Sequence, residues 1–316
     1  MKITESQERI NHSYMGHVIT PRVHVDTIEL WLKQPLRVDE VLANAKLNDF
    51  KINRDVRLRD GKHYLQCSHE AKGIKAYFRY SYDRMTIYKI KCSVGIPINT
   101  FIPDILSLLC PINISNIRIS RLDISIDYPT HFIQIWQGAD VARKRSITQH
   151  SLSGEPTGAE IGSENEKFVF YNKAKQLRLR VNELSPKLED GWTRIELRLF
   201  KQNLPVKGIV ELVRDFADLE SSRLLKPFQK ISLYKIQMVM PESPSEKDFE
   251  NYYRLKSSIE AFGFTEARRR LNKHNNFHRR YSKYYSKALI SPQPYDFICE
   301  SSEAIHQLVG GTNHDA

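Results

Sequence analysis

Cysteine is scarce in this chain. Four occur in 316 residues, at positions 67, 92, 110 and 299, with no Cys-x-x-Cys pair and no zinc-finger spacing. That excludes a thiolate zinc site and predicts reduced thiols, each a small packing residue, in a cytoplasmic protein. No stretch approaches the roughly 20 apolar residues of a membrane-spanning helix, so no membrane partner is expected. The opening run MKITESQERINHSY has no apolar core, and a secretory signal is not expected. No His-x-His occurs, which leaves out a paired-histidine metal site. No Gly-x-x-x-x-Gly-Lys-[Ser/Thr] run occurs, which leaves out ATP hydrolysis on a phosphate loop. Internal repeats are missing too.

What the chain has is positive charge. Lys and Arg number 48 against 37 Asp and Glu, a formal net charge of +11. Such an excess favours an anionic partner, nucleic acid or a membrane surface, over a neutral one. Hydrophobic residues make up 41% and charged residues 27%, the composition of a globular protein long enough for one large domain or two modest ones.

Alternation predicts a strand over 23–33 and three more within 63–94: HYLQCSHEA, GIKAYFRYSY and RMTIYKIKCSV. A short helix is predicted over 99–109, carrying Phe101, Ile102, Ile105, Leu108 and Leu109. The strand IRISRLDISIDYP, 117–129, is stopped by Pro129. A helix with a basic end is predicted over 131–147, and a Gly-, Ser- and Glu-rich loop leading into a hairpin over 151–166. Strands follow at 167–173 and 191–200, then an amphipathic helix over 206–225 closed by Pro227. The pattern is α+β, a central antiparallel sheet with helices on one face, over residues 21–240, behind a flexible arm at 1–20. Pro241, Ser243, Pro244 and Ser245 mark a hinge. Beyond it, 241–316 is predicted to be a basic helical region, with helices over 246–288 and a frayed tail, GGTNHDA. Leu255, Ile259 and Phe262 share one helix face, Gly263 fits a helix C-terminus, and Thr265 an N-cap.

Three strands carry candidate chemistry. On 117–129, Leu122, Ile124 and Ile126 share one face, and Arg121, Asp123, Ser125 and Asp127 the other. On 191–200, Ile195, Leu197 and Leu199 oppose Arg194, Glu196 and Arg198. On 167–173, Phe168 and Phe170 oppose Lys167, Tyr171 and Lys173. Taken singly, each polar row reads as a solvated outer face, and Tyr171 as an amphipathic packing residue. Side by side in one sheet they make a single surface of carboxylates, arginines, lysines and a tyrosine. Carboxylate oxygens suit a hard cation, Mg²⁺ or Mn²⁺. A tyrosine hydroxyl is a competent nucleophile, and lysine stabilises phosphate charge.

These motifs resemble rolling-circle replication initiators. R-L-D-I-S-I-D at 121–127, G-S at 162–163, F-V-F-Y-N-K at 168–173 and R-I-E-L-R at 194–198 are similar in order and spacing to the replication initiators of staphylococcal plasmids, the Rep_trans group. A weaker likeness extends to the initiators of filamentous phages. The resemblance covers roughly residues 117–200. The loop from Gly162 to Tyr171 is shorter than the plasmid pattern, and Glu164 stands where that pattern often has a basic residue. The resemblance implies a replication-initiator nuclease-like fold and a DNA nicking-joining endonuclease. Tyr171 would form a 5′-phosphotyrosine bond, Lys173 would assist it, and Asp123 and Glu196 would serve the metal. Host replication machinery would then extend the freed 3′-hydroxyl at a plasmid or phage origin. Asp123 and Asp127 are four residues apart, about 13 Å along a strand, too far for both to bind one ion. The spacing leaves open which of the two ligates; the resemblance implies Asp123, which falls at the Arg-Leu-Asp position of the family pattern, with Asp127 a further candidate or an orienting group for Lys173 or an arginine. His150 is either a third ligand or a loop residue. Arg121, Arg194 and Arg198 are candidate DNA contacts. One protomer offers one obvious nucleophile, so two cuts imply a homodimer or reuse of Tyr171.

Residues 254–287 hold ten Lys and Arg against Glu260 and Glu266, interleaved with Phe277, His278, Tyr281, Tyr284 and Tyr285. Basic side chains contact phosphates and aromatic rings stack on bases, so Arg268, Arg269, Arg270, Arg279 and Arg280 are predicted DNA contacts. Helix, glycine, helix also resembles a helix-turn-helix. The alternative is a non-enzymatic, repressor-like DNA-binding protein. It accounts for the charge and leaves Asp123, Tyr171 and Glu196 without a role. An ordinary metal nuclease that uses water in place of Tyr171 is a further alternative.

Overall fold

The computed structural model describes residues 12–14, 17–19, 23–32, 36–58, 61–69, 74–81, 84–92, 116–128, 132–141, 147–152, 155–173, 193–201, 203–218, 221–272, 275–291 and 293–300. Two short strands, β1 (His12–Tyr14) and β2 (His17–Ile19), pair with each other inside the segment expected to be an arm. β3 (Val23–Leu32) is the first strand of the main sheet. β4 (Leu36–Arg37) leads into α1 (Val38–Leu47), which has Asp39 and Glu40 in its first turn and Lys46 in its last, as the helix dipole favours. β5 (Lys51–Arg57), β6 (His63–His69), β7 (Ile74–Ser81) and β8 (Arg84–Cys92) form an antiparallel meander.

The long strand β9 (Ile117–Tyr128) follows, then α2 (Phe132–Gly138), β10 (Ala139–Val141), β11 (Ile147–Leu152), β12 (Glu155–Gly162), β13 (Glu166–Asn172) and β14 (Thr193–Phe200). α3 (Ile209–Ala217), a 3-10 turn at Lys226–Lys230 and β15 (Ile231–Met238) come next. α4 (Glu246–Leu271), α5 (Phe277–Tyr281), a 3-10 turn at Ser282–Tyr284, β16 (Tyr285–Leu289) and α6 (Pro294–Glu300) complete the described chain.

The main sheet has 11 strands, in the order β11-β12-β13-β14-β9-β3-β8-β7-β6-β5, with β4 also paired to β8. All its pairings are antiparallel. The fold is therefore α+β, as expected. Apolar alternation explains one face of the sheet. Leu122, Ile124, Ile126, Ile195, Leu197, Leu199, Phe168 and Phe170 are all buried there with Phe132, Ile135 and Trp136 of α2 and Leu212 and Phe216 of α3. Phe168 meets Phe228 of the 3-10 turn edge-on, ring centroids 5.8 Å apart. Among the described residues no helix is long and apolar enough to cross a membrane.

Several elements differ from expectation. The helix expected over 131–147 ends at Gly138, and 139–141 instead joins β15. The loop expected over 151–166 is largely strand, because its Gly and Ser residues sit in the β11–β12–β13 ladder. The helix expected over 206–225 stops at Ala217. There the Asp215 carboxylate accepts the Ser222 hydroxyl (2.7 Å) and the backbone N–H groups of Arg223 and Leu224 (both 3.0 Å), which folds the chain back on the helix end. The region beyond residue 241 is not purely helical, since β16 pairs with β15 across the Pro-Ser hinge.

α4 starts with a capping box: Ser245 accepts the Asp248 N–H, and the Asp248 side chain accepts the Ser245 N–H. It kinks at Gly263 (φ 73°, ψ 165°). A Cβ there would lie 2.8 Å from the Trp136 carbonyl oxygen, so glycine serves both the backbone turn and the close approach to α2. The Thr265 hydroxyl, expected to cap the second arm, donates to the Ala139 carbonyl at 3.1 Å. The helix expected over 99–109 and the tail lie outside the described residues. Cys67 is a buried free thiol, pushed up to about 12 by burial, whereas Cys299 is exposed rather than packed.

Candidate active site

The polar face of β9, β13 and β14 is organised by register. Gly162 and Ser163 open the turn between β12 and β13, where Ser163 N–H donates to the Glu166 carbonyl at 2.9 Å. Gly162 has φ +147°, and a Cβ on it would lie 2.4 Å from the Glu166 carbonyl oxygen and 2.6 Å from the Lys167 Cα, both backbone atoms. Only glycine fits this turn. Gly162→Ala is expected to cost about 1–3 kcal/mol of strain, read as a lowered urea midpoint; a change below ~0.5 kcal/mol would mean that the turn relaxes freely.

From that turn, β13 pairs with β14, and β14 with β9, without a register shift. Tyr171 therefore lies beside Arg194, and Arg194 beside Asp127. The next row holds Val169, Glu196 and Ser125, and the one after it Lys167, Arg198 and Asp123. The three polar rows read from the sequence are thus one surface. The surface is buried rather than solvated: Asp123 is 1% exposed, Asp127 5%, Arg194 1% and Glu196 3%.

Buried charge needs partners, and each carboxylate has an arginine. Asp123 accepts both Nε (2.7 Å) and Nη2 (2.5 Å) of Arg121, whose Nη1 reaches Glu29 at 3.2 Å. Asp127 accepts Nε (2.6 Å) and Nη2 (2.8 Å) of Arg194, whose Nη1 reaches Asp26 at 3.3 Å. Glu196 accepts Nε of Arg198 at 2.6 Å on one oxygen and the Tyr171 hydroxyl at 3.3 Å on the other. Lys173 is buried, with Nζ 5.8 Å from the centre of the Tyr171 ring.

Glu29, Asp26 and Glu160 belong to this network and were missed by sequence reasoning. Glu160 binds Lys167 at 2.8 Å and lies 3.5 Å from Arg198. It fell in the segment read as a loop. Glu29 was visible on an alternating strand. Asp26 reaches the site through a register shift between Val25 and Thr27 that no pattern announces.

Electrostatics follow the burial. Burial pushes the Tyr171 phenol above its ordinary value; Arg194 pulls it down, while Glu196, Asp26 and Asp127 add to the rise. Burial pushes the Asp123 carboxyl up, to about 7, against the pull of Arg121. A carboxyl raised from 3.8 to about 7 contributes stability that is complete below 3.8 and is lost as pH climbs through 7. Asp123→Asn should therefore flatten the fall in urea midpoint between about pH 4 and pH 7. An unchanged slope would assign that titration to another group.

The donor set is all oxygen, which fits a hard cation. No group of three His, Cys, Asp or Glu among the described residues is arranged to hold one. Ser125 lies between Asp123 and Asp127 on β9 and opposite Glu196, and its buried hydroxyl has no hydrogen-bond partner. Mg²⁺ and Mn²⁺ keep several waters and bind through one or two carboxylates plus phosphate, so here such an ion would take carboxylate oxygens now held by Arg121 and Arg198, with the Ser125 hydroxyl beside them. The His150 side chain lies outside the described residues.

In the C-terminal part, Arg269 and Arg270 both bind Glu266, at 2.5–2.7 Å, and Arg270 lies 3.8 Å from the centre of the Phe262 ring. Arg280 donates to Asn251 at 2.7 Å. Arg268 and Arg279 are exposed. The interleaved aromatics are core: Phe277, Tyr281 and Tyr284 are buried with Leu255, Ile259 and Phe264. These three rings are not presented for stacking on bases. The helix, glycine, helix pattern is present as the two arms of α4, which meet at the Gly263 kink, the second arm ending at Leu271.

No family profile and no curated protein matches the chain. Among solved structures it is similar to a rolling circle replication initiator protein from Geobacillus stearothermophilus, at 12% identity over 77% of this chain and 98% of that one. The TM-score is 0.39, a likeness too distant to establish a shared fold or activity.

Proposed function

We propose that the protein is a rolling-circle replication initiator that nicks and rejoins origin DNA through Tyr171. One observation carries the reading. The only tyrosine of the three motif strands whose side chain is described on their polar face has its hydroxyl against a buried carboxylate, Glu196, inside a field of arginines. A packing tyrosine has no need of that setting. The order of the Arg-Leu-Asp, Gly-Ser, Tyr-Asn-Lys and Arg-Ile-Glu motifs supports the same reading.

In this reaction Tyr171 Oη attacks the scissile phosphorus in line. The bond from phosphorus to the 3′ oxygen breaks, leaving a 5′-phosphotyrosine and a 3′-hydroxyl. The phenol must first lose its proton, which its burial resists. Glu196, already accepting that hydroxyl, is the base at hand, and the cations of Arg194 and Lys173 favour the phenolate. Asp123 and Glu196 would hold Mg²⁺ or Mn²⁺, which when bound supplies positive charge to stabilise the phosphate oxygens. Rejoining reverses the attack: a 3′-hydroxyl gives up its proton, its oxygen displaces Tyr171 from phosphorus, and the released phenolate recovers a proton from Glu196. Origin DNA, host replication machinery and a second protomer are the partners this reading implies.

The test is a denaturing gel of protein incubated with single-stranded fragments of its replicon and Mn²⁺ or Mg²⁺. A shifted, protease-sensitive band that disappears with chelator is expected. Cleavage with free 5′-phosphate ends and no adduct would replace Tyr171 by water. Binding with no cleavage of any fragment would favour the repressor-like reading.

A further inference from the structure

Away from the sheet, the first turns and the last turn of α4 and the α5–3-10 segment line a cleft of about 600 Å³. That is the size of pocket that holds a nucleotide-scale group. Its lining carries six basic residues, Lys247, Arg254, Arg270, Arg279, Arg280 and Lys283, against one carboxylate, Asp248. Asp248 is already committed. It accepts Lys283 Nζ and the Tyr284 hydroxyl, each at 2.6 Å, and closes the capping box with Ser245. Arg270 is committed to Glu266, and Arg280 is oriented by Asn251. The side chains of Lys247, Arg254 and Arg279 have no counter-charge among the described residues, and all three are exposed.

Like charges gathered round a concavity repel one another unless an anion sits among them. Lys247 and Arg254 are seven residues apart on one helix, a rise of about 10 Å. That matches about three base-pair steps of rise along a duplex axis, at ~3.4 Å per phosphate of one strand. Tyr281 and Tyr284, which also line the cleft, are buried, so no ring of theirs is offered to a base.

We infer that this cleft grips consecutive phosphates of a DNA backbone, without reading bases, through Lys247, Arg254 and Arg279. Lys247 lies outside the basic segment 254–287, and neither it nor Arg254 is among the arginines expected from the sequence to contact DNA. The inference rests on the reading of the protein as acting on DNA, and it adds a contact separate from Tyr171. Phosphate contacts position DNA and release counterions; they carry no sequence information.

The test uses the full chain carrying Tyr171→Phe, so that no covalent product distorts the equilibrium. Binding of two labelled duplexes of unrelated sequence is followed by anisotropy over a range of salt. Lys247→Ala/Arg254→Ala is expected to weaken both about 10- to 100-fold near 0.1 M salt and to reduce the slope of log K against log salt by about 2. Lys247→Arg/Arg254→Lys, which keeps the charge, should restore the slope. An unchanged slope overturns the inference, as does a loss confined to one sequence. So does micromolar binding of inorganic triphosphate with DNA affinity unaltered, which would mark a small-anion site. Adduct formation by protein with Tyr171 intact is scored separately. A reduced slope with no adduct leaves the cleft standing and removes the nicking, and an adduct with an unchanged slope does the reverse.

Discussion

Tyr171→Phe is expected to abolish covalent attachment to DNA while leaving the protein folded and able to bind. The hydroxyl makes one long hydrogen bond, 3.3 Å, to Glu196. Such a bond contributes about 0.5–1.5 kcal/mol net, so the variant should lose no more than that. Glu196 is not orphaned, because Arg198 still holds its other oxygen at 2.6 Å. The phenylalanine ring occupies the same space beside Lys173. Loss of a nucleophile, by contrast, leaves only binding and electrostatics, and adduct formation should fall by about 10⁴-fold or more. The two readouts separate the alternatives. Continued cleavage by Tyr171→Phe would assign the attack to water. Loss of binding together with cleavage would mean that the residue is structural after all.

How much of this was legible depended on the kind of signal each element gives. Strands with one buried face announce themselves by alternation, which is why β3, β6, β7, β9, β13 and β14 were placed to within a few residues. β5, Lys-Ile-Asn-Arg-Asp-Val-Arg, is an edge strand exposed over most of its length and carries no such pattern. β12 lost its signal to Gly158 and Gly162, which read as loop. Helix ends failed where a single side chain decided them. Asp215 terminates α3 by capturing a hydroxyl and two N–H groups seven to nine residues onward, a contact that no local rule predicts.

The candidate site was legible in its members but not in its environment. Alternation put Asp123, Tyr171, Glu196 and the arginines on polar strand faces, and the resemblance to rolling-circle initiators singled out the first three. Strand order, which puts β9 between β14 and β3, is set by long-range pairing, and it brings Glu29 and Asp26 into the network. Burial was the larger surprise. A polar row on a strand ordinarily faces water, and here its charges are neutralised pairwise instead. The aromatic residues near the C-terminus misled in the opposite direction, because tyrosines among arginines look like a stacking surface and are in fact the small core under α4.

The pairwise neutralisation leads to the largest expected effect on stability. Arg194→Met should destabilise the protein by about 3–5 kcal/mol, because it leaves Asp127 buried without its bidentate partner. Domains of ordinary stability hold about 5–15 kcal/mol, so the single variant should be near its limit at physiological temperature. Arg194→Lys should not rescue it, since an ammonium cannot reproduce the two parallel bonds to Asp127. Arg194→Met/Asp127→Leu removes both charges, and Asp26, whose side chain is 33% exposed, is left with access to water. The double variant should recover most of the loss, a strong departure from additivity measurable by urea unfolding. It also separates folding from chemistry. Arg194 is the charge that most opposes the burial-driven rise of the Tyr171 phenol. A refolded double variant should therefore form adduct poorly at neutral pH and improve as pH rises, because the phenolate has lost its main stabilising cation. Equal destabilisation in the single and double variants would show instead that packing around Arg194, and not its charge, holds this part of the sheet together.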